Sequence, residues 1–351
     1  MAVKALVYQG PQDIAPAEVA DPTLPDERGV IVRVTAAGIC GSDLHIYGGH
    51  GFSSDIGFCV GHEAVGEIVE VGPAVRRFAV GERVLVSASV GCGQCPACFA
   101  GLVARCENVA GPLDACYGLS AKLQGAQAEY LAVPRADFNL VHLPDSISDD
   151  AGVVLSDNAA TAWYGARRAR IAPGDTVTVI GLGPVGLMAV QSALAMGASR
   201  VFAVDLILER RLRAAELGAE PVDSDEPKKL IRELTGGGSD VAIEAVGADA
   251  TITLAMSVVR RGGRVGVVGV SQNPNFTMHM PLAQVKELEF TIGLCSVQYE
   301  LPTILRLTAA GRLNPEAVVS HRLPLSDGAD AYRRFAGRED GVSKIVLDPA
   351  R

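Results

Sequence analysis

His62 and Glu63 stand side by side in GHEAVGEIVEVG, Gly61 to Gly72, at the mouth of a run that alternates Val65, Glu67, Val69, Val71. The alternation is strand-like. A His-Glu pair there can hold a cation, but two ligands do not make a zinc site. Cys40, in GICGSDLH, lies about twenty residues upstream, and Asp157, in LSDNAATAWYGA, lies far downstream. One soft sulfur, one imidazole and carboxylates suit an open, catalytic Zn²⁺. Gly38 and Gly41 flank Cys40 and let the backbone carry its sulfur inward. Ser42 and His45 follow on the same short segment, a hydroxyl and an imidazole able to relay a proton from a substrate alcohol to solvent. The plainer reading is a helix cap at Ser42 and a surface histidine at His45.

A second cluster follows. Cys92, Cys95, Cys98 and Cys106 occupy CGQCPACFAGLVARC with two, two and seven residues between them. Four thiolates in one compact loop close a tetrahedral zinc with no open position, a structural site. An iron–sulfur cluster or a disulfide pair are the rival uses of such a loop. The expectation is therefore two zinc ions per chain. Cys59, Cys116 and Cys295 remain as structural or incidental thiols.

Downstream, TVTVIGLGPVGLMAVQSALAMGASRVFAVD reads as strand, glycine turn, helix, strand. Thr176–Ile180 is apolar in the manner of a buried parallel strand. Gly181, Gly183 and Gly186 form GxGxxG, the helix is expected over Leu187–Met196, and the second strand, Arg200–Val204, ends at Asp205, 24 positions after Gly181. In that context the glycines let backbone approach a pyrophosphate at a helix N-terminus, and the acidic residue receives the ribose hydroxyls. A 2′-phosphate would be repelled by Asp205, so NAD is preferred to NADP. Arg210 either reaches the ribose edge or joins Arg211 and Arg213 on a solvated helix face.

These motifs need two kinds of scaffold. Before about residue 157 the chain is mostly β, with short strands at Val3–Tyr8 and Val30–Val34. After it strands and helices alternate, with strands expected at Val241–Gly247, Arg264–Val270 and, at an edge, Phe290–Leu294, which indicates a doubly wound parallel sheet. A helix is expected over Pro302–Ala310, and SKIVLDP near the C-terminus reads as a strand able to rejoin the first sheet. With 351 residues, 48% of them apolar, the chain suits two domains with separate cores. The net charge is −9 with no basic block, which argues against nucleic acid and anionic membrane as partners. No apolar run spans a membrane, no secretory leader is evident, and clustered thiols fit a reducing compartment, so a cytoplasmic protein is expected.

Taken together, GICGSDLH, GHEAVGEIVEVGPAV, the four-cysteine lobe, LSDNAATAWYGA, GLGPVG with Asp205, and EAVG resemble a zinc-containing medium-chain alcohol dehydrogenase over nearly the whole chain. The resemblance implies an α/β protein: a GroES-like β-rich catalytic domain over 1–157 and 295–351, and a Rossmann NAD-binding domain over 158–294, with the active cleft between them. It implies catalytic zinc on Cys40, His62 and a third ligand, with Glu63 exchangeable or one shell out. In the horse-liver-type branch that third ligand is a cysteine. Asp157 stands in its place, as in bacterial secondary-alcohol dehydrogenases. The best-known members of that branch use NADP and lack the cysteine lobe, so this chain departs from them twice. Thr161, Pro184, Val185, Val246, Val268 and Val270 join the glycine turn, Asp205 and Arg210 as implied cofactor contacts. The reaction implied is hydride transfer between a primary or secondary alcohol and NAD, with polyols or amino alcohols as the other substrate class and a dimer or tetramer as the assembly. A zinc-free quinone reductase relative is set aside because such proteins lack the Cys40/His62 pair, and a non-enzymatic dinucleotide-binding regulator is set lower still.

Metal analysis of the purified protein should return two zinc ions per chain. One or none removes either the lobe or the active-site reading.

Overall fold

The computed structural model describes residues 2–109, 115–339 and 341–350. It divides into two compact units, Met1–Ala160 with Cys295–Ala309 and Asn314–Arg351, and Thr161–Leu294 with Ala310–Leu313.

The first unit is built on the strand Val30–Gly38, which is buried along most of its length. It pairs antiparallel with Glu63–Val71 and, lower down, with Tyr130–Val133. On the same flank as Tyr130–Val133, opposite Glu63–Val71, the late strand Ile345–Asp348 pairs antiparallel through Val346 and Leu347. The resulting seven-stranded sheet thus includes a strand from the end of the chain. Its inward β-branched residues, Val32, Val34, Ile68, Val84 and Val86 among them, form one core with Tyr117 and Leu140. A smaller three-stranded sheet contributes Leu6 and Tyr8 to a second core, closed by Tyr332 and Phe335 of the helix Gly328–Ala336.

Register does the positioning. Gly38 faces Glu63 across the pair, so Cys40, two residues past one strand, and His62, one residue before the other, leave the sheet at the same end. Asp157 arrives from another element. Ser148 caps the helix Asp149–Leu155 by accepting a bond from Ala151 N–H at 3.2 Å, and Asp149 and Asp150 in its first turn suit the helix dipole. Asp157 sits in the break before the next helix, Asn158–Arg168.

The second unit is a six-stranded parallel sheet. Numbered within the sheet by chain position, its strands lie in the order 3-2-1-4-5-6 of a doubly wound dinucleotide-binding fold. Thr176–Ile180 and Arg200–Val204 fall where the pattern places them, and Glu289–Ile292 is an edge strand.

Several boundaries differ from expectation: the strands expected over Val3–Tyr8, Val30–Val34, Val241–Gly247 and Phe290–Leu294 are Ala2–Gly10, Val30–Gly38, Ser239–Glu244 and Glu289–Ile292. The helix after the glycine turn is Pro184–Ala195. Proline has no N–H to waste at a helix start, so Pro184 belongs inside the helix. The strand expected over Arg264–Val270 is Val259–Val267, which leaves Val268 and Val270 in the connection beyond it. The helix expected from Pro302 begins at Val297, with Pro302 inside it.

Asp240 ties the sheet together: its Oδ2 accepts Thr176 N–H and Oγ1–H, each at 2.8 Å, and Oδ1 accepts Arg260 Nε–H at 2.7 Å. Burial opposes its charge, but the Thr176 and Arg260 donors hold its carboxyl below the usual value. Its contribution is complete above the ordinary aspartate pKa and fades as pH falls through the lower folded value. Asp240→Asn should cost about 1–3 kcal/mol at pH 7, and the gap between variant and parent should shrink below about pH 4. Urea unfolding at both pH values checks this.

Candidate metal and cofactor sites

Cys40, His62, Glu63 and Asp157 converge, each offering a ligand atom within 4.8 Å of the others. Cys40 Sγ lies 3.3 Å from Asp157 Oδ2, and His62 Nε2 lies 3.7 Å from the same oxygen. Ligands of a tetrahedral zinc, at metal distances of about 2.0–2.3 Å, stand roughly 3.3–3.8 Å from one another. The donor set and its spacing therefore fit zinc. Ser42 Oγ is 3.2 Å from the same His62 nitrogen. Ser42 occupies the cap position of the short helix Asp43–Tyr47, yet its side chain makes no cap bond, so the hydroxyl faces the ligands instead.

Three partners escaped the sequence reading. Asp43 is fully buried, with Oδ1 3.3 Å from His62 Nδ1, and neither atom has another hydrogen-bond partner. A carboxylate behind the imidazole fixes the ring and leaves Nε2 turned toward the ligands. Its signal was the acidic residue inside GSDLH. Asn158 Nδ2 donates to Glu63 Oε1 at 2.6 Å. Lys344, fully buried, donates to Glu63 Oε2 and to Ile39 O, the latter at 3.0 Å. Its signal was a lone lysine at the head of the apolar run IVL. Both oxygens of Glu63 are thereby engaged.

The cluster is rich in negative charge. Burial pushes the Cys40 thiol up, and Asp157 and Glu63 push it further. Burial also raises Glu63, with Lys344 opposing. Burial works against the Asp157 carboxylate as well, but hydrogen bonding and charge from His62, helped by Cys40 and Lys344, hold it at about 2. A divalent cation inverts this logic by stabilising thiolate and carboxylate together.

The lobe brings Cys92, Cys95, Cys98 and Cys106 together, all buried. Cys92 Sγ and Cys98 Sγ are 3.9 Å apart. That is far beyond a disulfide bond of about 2.05 Å and close to the sulfur–sulfur edge of about 3.8 Å that a four-thiolate zinc imposes. The N–H groups of Gln94 and Cys95 point at Cys92 Sγ, each at 3.3 Å, and Asn108 Nδ2 donates to it at 3.2 Å. Burial opposes them, yet together these donors bring the Cys92 thiol down to about 6. Among the described residues the cysteine cluster packs against Ala97, Val109 and Phe138, too little apolar mass for a core of its own.

In the second unit the glycine turn has the shape a pyrophosphate requires. A Cβ on Gly186 would lie 1.8 Å from Gly181 O, and one on Gly181, at φ +85°, would meet Val246 Cγ2 at 2.3 Å. Neither position admits a side chain. Gly183 opens onto empty space and starts the helix without a side-chain cap, so the N–H groups of Pro184's successors, Val185 and Gly186, are available to an anion. Asp205 Oδ2 accepts Leu182 N–H at 2.7 Å, and Oδ1 accepts Ile207 N–H at 2.9 Å. Arg210 Nη1 stands 3.9 Å from Asp205 Oδ2 and its side chain is 17% exposed. It is mostly covered and lies toward Asp205. Arg211 donates to Asp205 O at 2.8 Å and pairs with Asp223. Val246 is exposed beside the turn, Val268 is buried, and Val270 and Thr161 are half-buried.

Residues 26–145 match the alcohol dehydrogenase GroES-like domain, and residues 184–310 match the zinc-binding dehydrogenase domain. A probable zinc-binding alcohol dehydrogenase of Mycobacterium tuberculosis is 40% identical over 348 residues, 99% of this chain and 89% of that protein. The chain belongs to the zinc-type alcohol dehydrogenase family. Among solved structures, alcohol dehydrogenase TADH from Thermus sp. ATN1 superposes with a TM-score of 0.91 at 40% identity, over 98% of this chain and 99% of that one. The 2R,3R-butanediol dehydrogenase of Bacillus subtilis gives a TM-score of 0.84 at 28% identity, over 99% of each chain. As a zinc-dependent alcohol dehydrogenase it transfers hydride between an alcohol or its carbonyl and NAD, and its two ligand clusters match a catalytic and a structural zinc. Among the described residues no helix is long and apolar enough to cross a membrane.

Lys344→Met should leave the Glu63 carboxylate buried and unpaired, which costs about 3–5 kcal/mol. A denaturant titration showing a loss below about 1 kcal/mol would mean the pair carries no more than an exposed one.

Proposed function

We propose that Cys40, His62 and Asp157 hold the catalytic zinc, that Cys92, Cys95, Cys98 and Cys106 hold the structural one, and that the preferred substrates are secondary alcohols and their ketones. The observation that carries the reading is the convergence of a thiol, an imidazole and a carboxylate at coordination spacing, with Ser42 Oγ 3.2 Å from the imidazole nitrogen. Bound zinc supplies a Lewis acid that polarises the substrate oxygen. Ser42 would take the proton of the substrate hydroxyl while giving up its own, so that it relays the proton rather than storing it; bound NAD would supply the hydride acceptor. His45, half-buried with its ring edge-on to Phe52 at 6.0 Å, carries that proton outward. Glu63, engaged by Asn158 and Lys344, acts from behind the ligands as a fixed negative charge.

Asp205 selects NAD, since a 2′-phosphate would meet a carboxylate already shielded from water. The glycine turn with Pro184 and Val185 takes the pyrophosphate, and Thr161, Arg210, Val246, Val268 and Val270 line the remainder of the cofactor path. The similarity to a butanediol dehydrogenase favours vicinal diols as the second substrate class. The edge strand Glu289–Ile292, ending in exposed Ile292 and followed by exposed Leu294, supports pairing with a second copy in a dimer or tetramer. Eight unbridged thiols support a reducing, cytoplasmic setting, and the net charge of −9 with no basic block disfavours nucleic acid as a partner.

A panel of primary, secondary, diol and amino-alcohol substrates, read by NADH and NADPH absorbance, tests this. Secondary alcohols with NAD should give the highest kcat/KM, and Ser42→Ala should lower kcat by about 10²–10⁴. Equal use of NADP sinks the Asp205 reading; an unchanged kcat in the serine variant sinks the proton route.

A further inference from the structure

Behind His62 runs a chain of buried polar groups that ends on a distant helix. Tyr332 Oη–H donates to Gln127 Oε1 at 2.9 Å. Gln127 Nε2 donates to Gly38 O at 2.8 Å and reaches Asp43 Oδ2 at 3.4 Å. Asp43 Oδ2 also accepts Cys40 N–H at 2.9 Å, and Asp43 Oδ1 faces His62 Nδ1 at 3.3 Å. Gln127, Asp43 and Tyr332 are completely buried and His62 is 3% exposed, so water does not compete for these bonds.

The geometry leaves Gln127 one orientation. Turned over, its amide would set oxygen against Gly38 O and nitrogen against the tyrosine hydroxyl hydrogen. Its backbone is pinned as well, donating to Val60 O at 3.0 Å and accepting Leu6 N–H at 2.8 Å. The side chain lies against Gly61, the residue before His62: a Cβ there would come 2.4 Å from Gln127 Cγ, at a φ of +89°. Tyr332 is held in turn by Tyr47, ring centroids 5.6 Å apart, and by the core around Leu6 and Ile39. The amide thus touches the approaches to both ligands, Gly38 and Asp43 on the Cys40 side and Gly61 on the His62 side.

We propose that Gln127 and Tyr332 are positioning residues for the catalytic metal, acting through Asp43 to fix the His62 ring and through Gly38 to fix the Cys40 turn. This rests on the assignment of Cys40, His62 and Asp157 as metal ligands. A buried carboxylate that loses one donor turns toward those that remain, and here the ring of His62 follows it. Outer partners of this kind set metal affinity through ligand orientation.

The test measures zinc release from the holoenzyme to the chromogenic chelator 4-(2-pyridylazo)resorcinol, with Asp157→Asn marking which kinetic phase is the active site. Gln127→Leu should speed that phase about 10–100-fold, and Tyr332→Phe should speed it less. The lobe phase should not change in either variant. In cobalt-substituted protein the active-site ligand-field band should shift in Gln127→Leu and not the thiolate bands of the lobe. An unchanged active-site phase, or equal acceleration of both phases, overturns the proposal, the second because it would reflect general loosening of the fold. Should Gln127→Leu not fold, Tyr332→Phe decides by the same criteria, since it removes one hydroxyl without a cavity. A native protein that releases fewer than two zinc ions defeats the ligand assignment itself; two ions with an unchanged active-site phase defeat only the role of Gln127 and Tyr332.

Discussion

Three anionic or potentially anionic groups, Cys40, Glu63 and Asp157, are crowded around one imidazole inside a pocket largely closed to water. Burying that charge costs free energy that packing alone cannot return. The surrounding structure is arranged to meet the cost. Lys344 supplies a buried cation to Glu63, Asn158 donates to it, and Asp43 stands behind His62. What remains is an electron-rich opening that a divalent cation would neutralise. The chemistry of the enzyme follows from that opening, because the same field that binds a metal tunes the groups around the substrate oxygen.

The sheet makes this crowding possible at low strain. Pairing Gly38 with Glu63 brings two ligand-bearing loops out of one end of an antiparallel pair. A shift of one residue would turn every side chain of that strand to the opposite face, removing Glu63 from Lys344 and His62 from Cys40. The strand Ile345–Asp348 flanks the same end through Val346 and Gly38, and it is this pairing that carries Lys344 inward. A cation from near the C-terminus thus serves a carboxylate from the first fifth of the chain.

The two metal clusters show how differently a cysteine can be used. In the lobe, four sulfurs close on each other and accept backbone N–H bonds from their own short loop. Such a site needs no distant partner and leaves no open position. In the other cluster a single sulfur meets groups from two other stretches, His62 with Glu63 and Asp157.

Local contiguity decides what could be read from residue order. The four-cysteine lobe and the GxGxxG turn with Asp205 are built within about fifteen to twenty-five residues, where spacing alone constrains geometry, and the strands Thr176–Ile180 and Arg200–Val204 lie where their apolar runs place them. Cys40, His62 and Asp157 could be grouped by ligand chemistry and by resemblance, but nothing in their separation of up to 117 positions requires contact. Gln127, Asn158 and Tyr332 left no sign of their roles in the residue order, and Asp43 and Lys344 left only a faint one. Each is an ordinary polar residue locally, and only burial against a particular neighbour gives it one. Strand register and core packing, which act between residues far apart in the chain, made those choices.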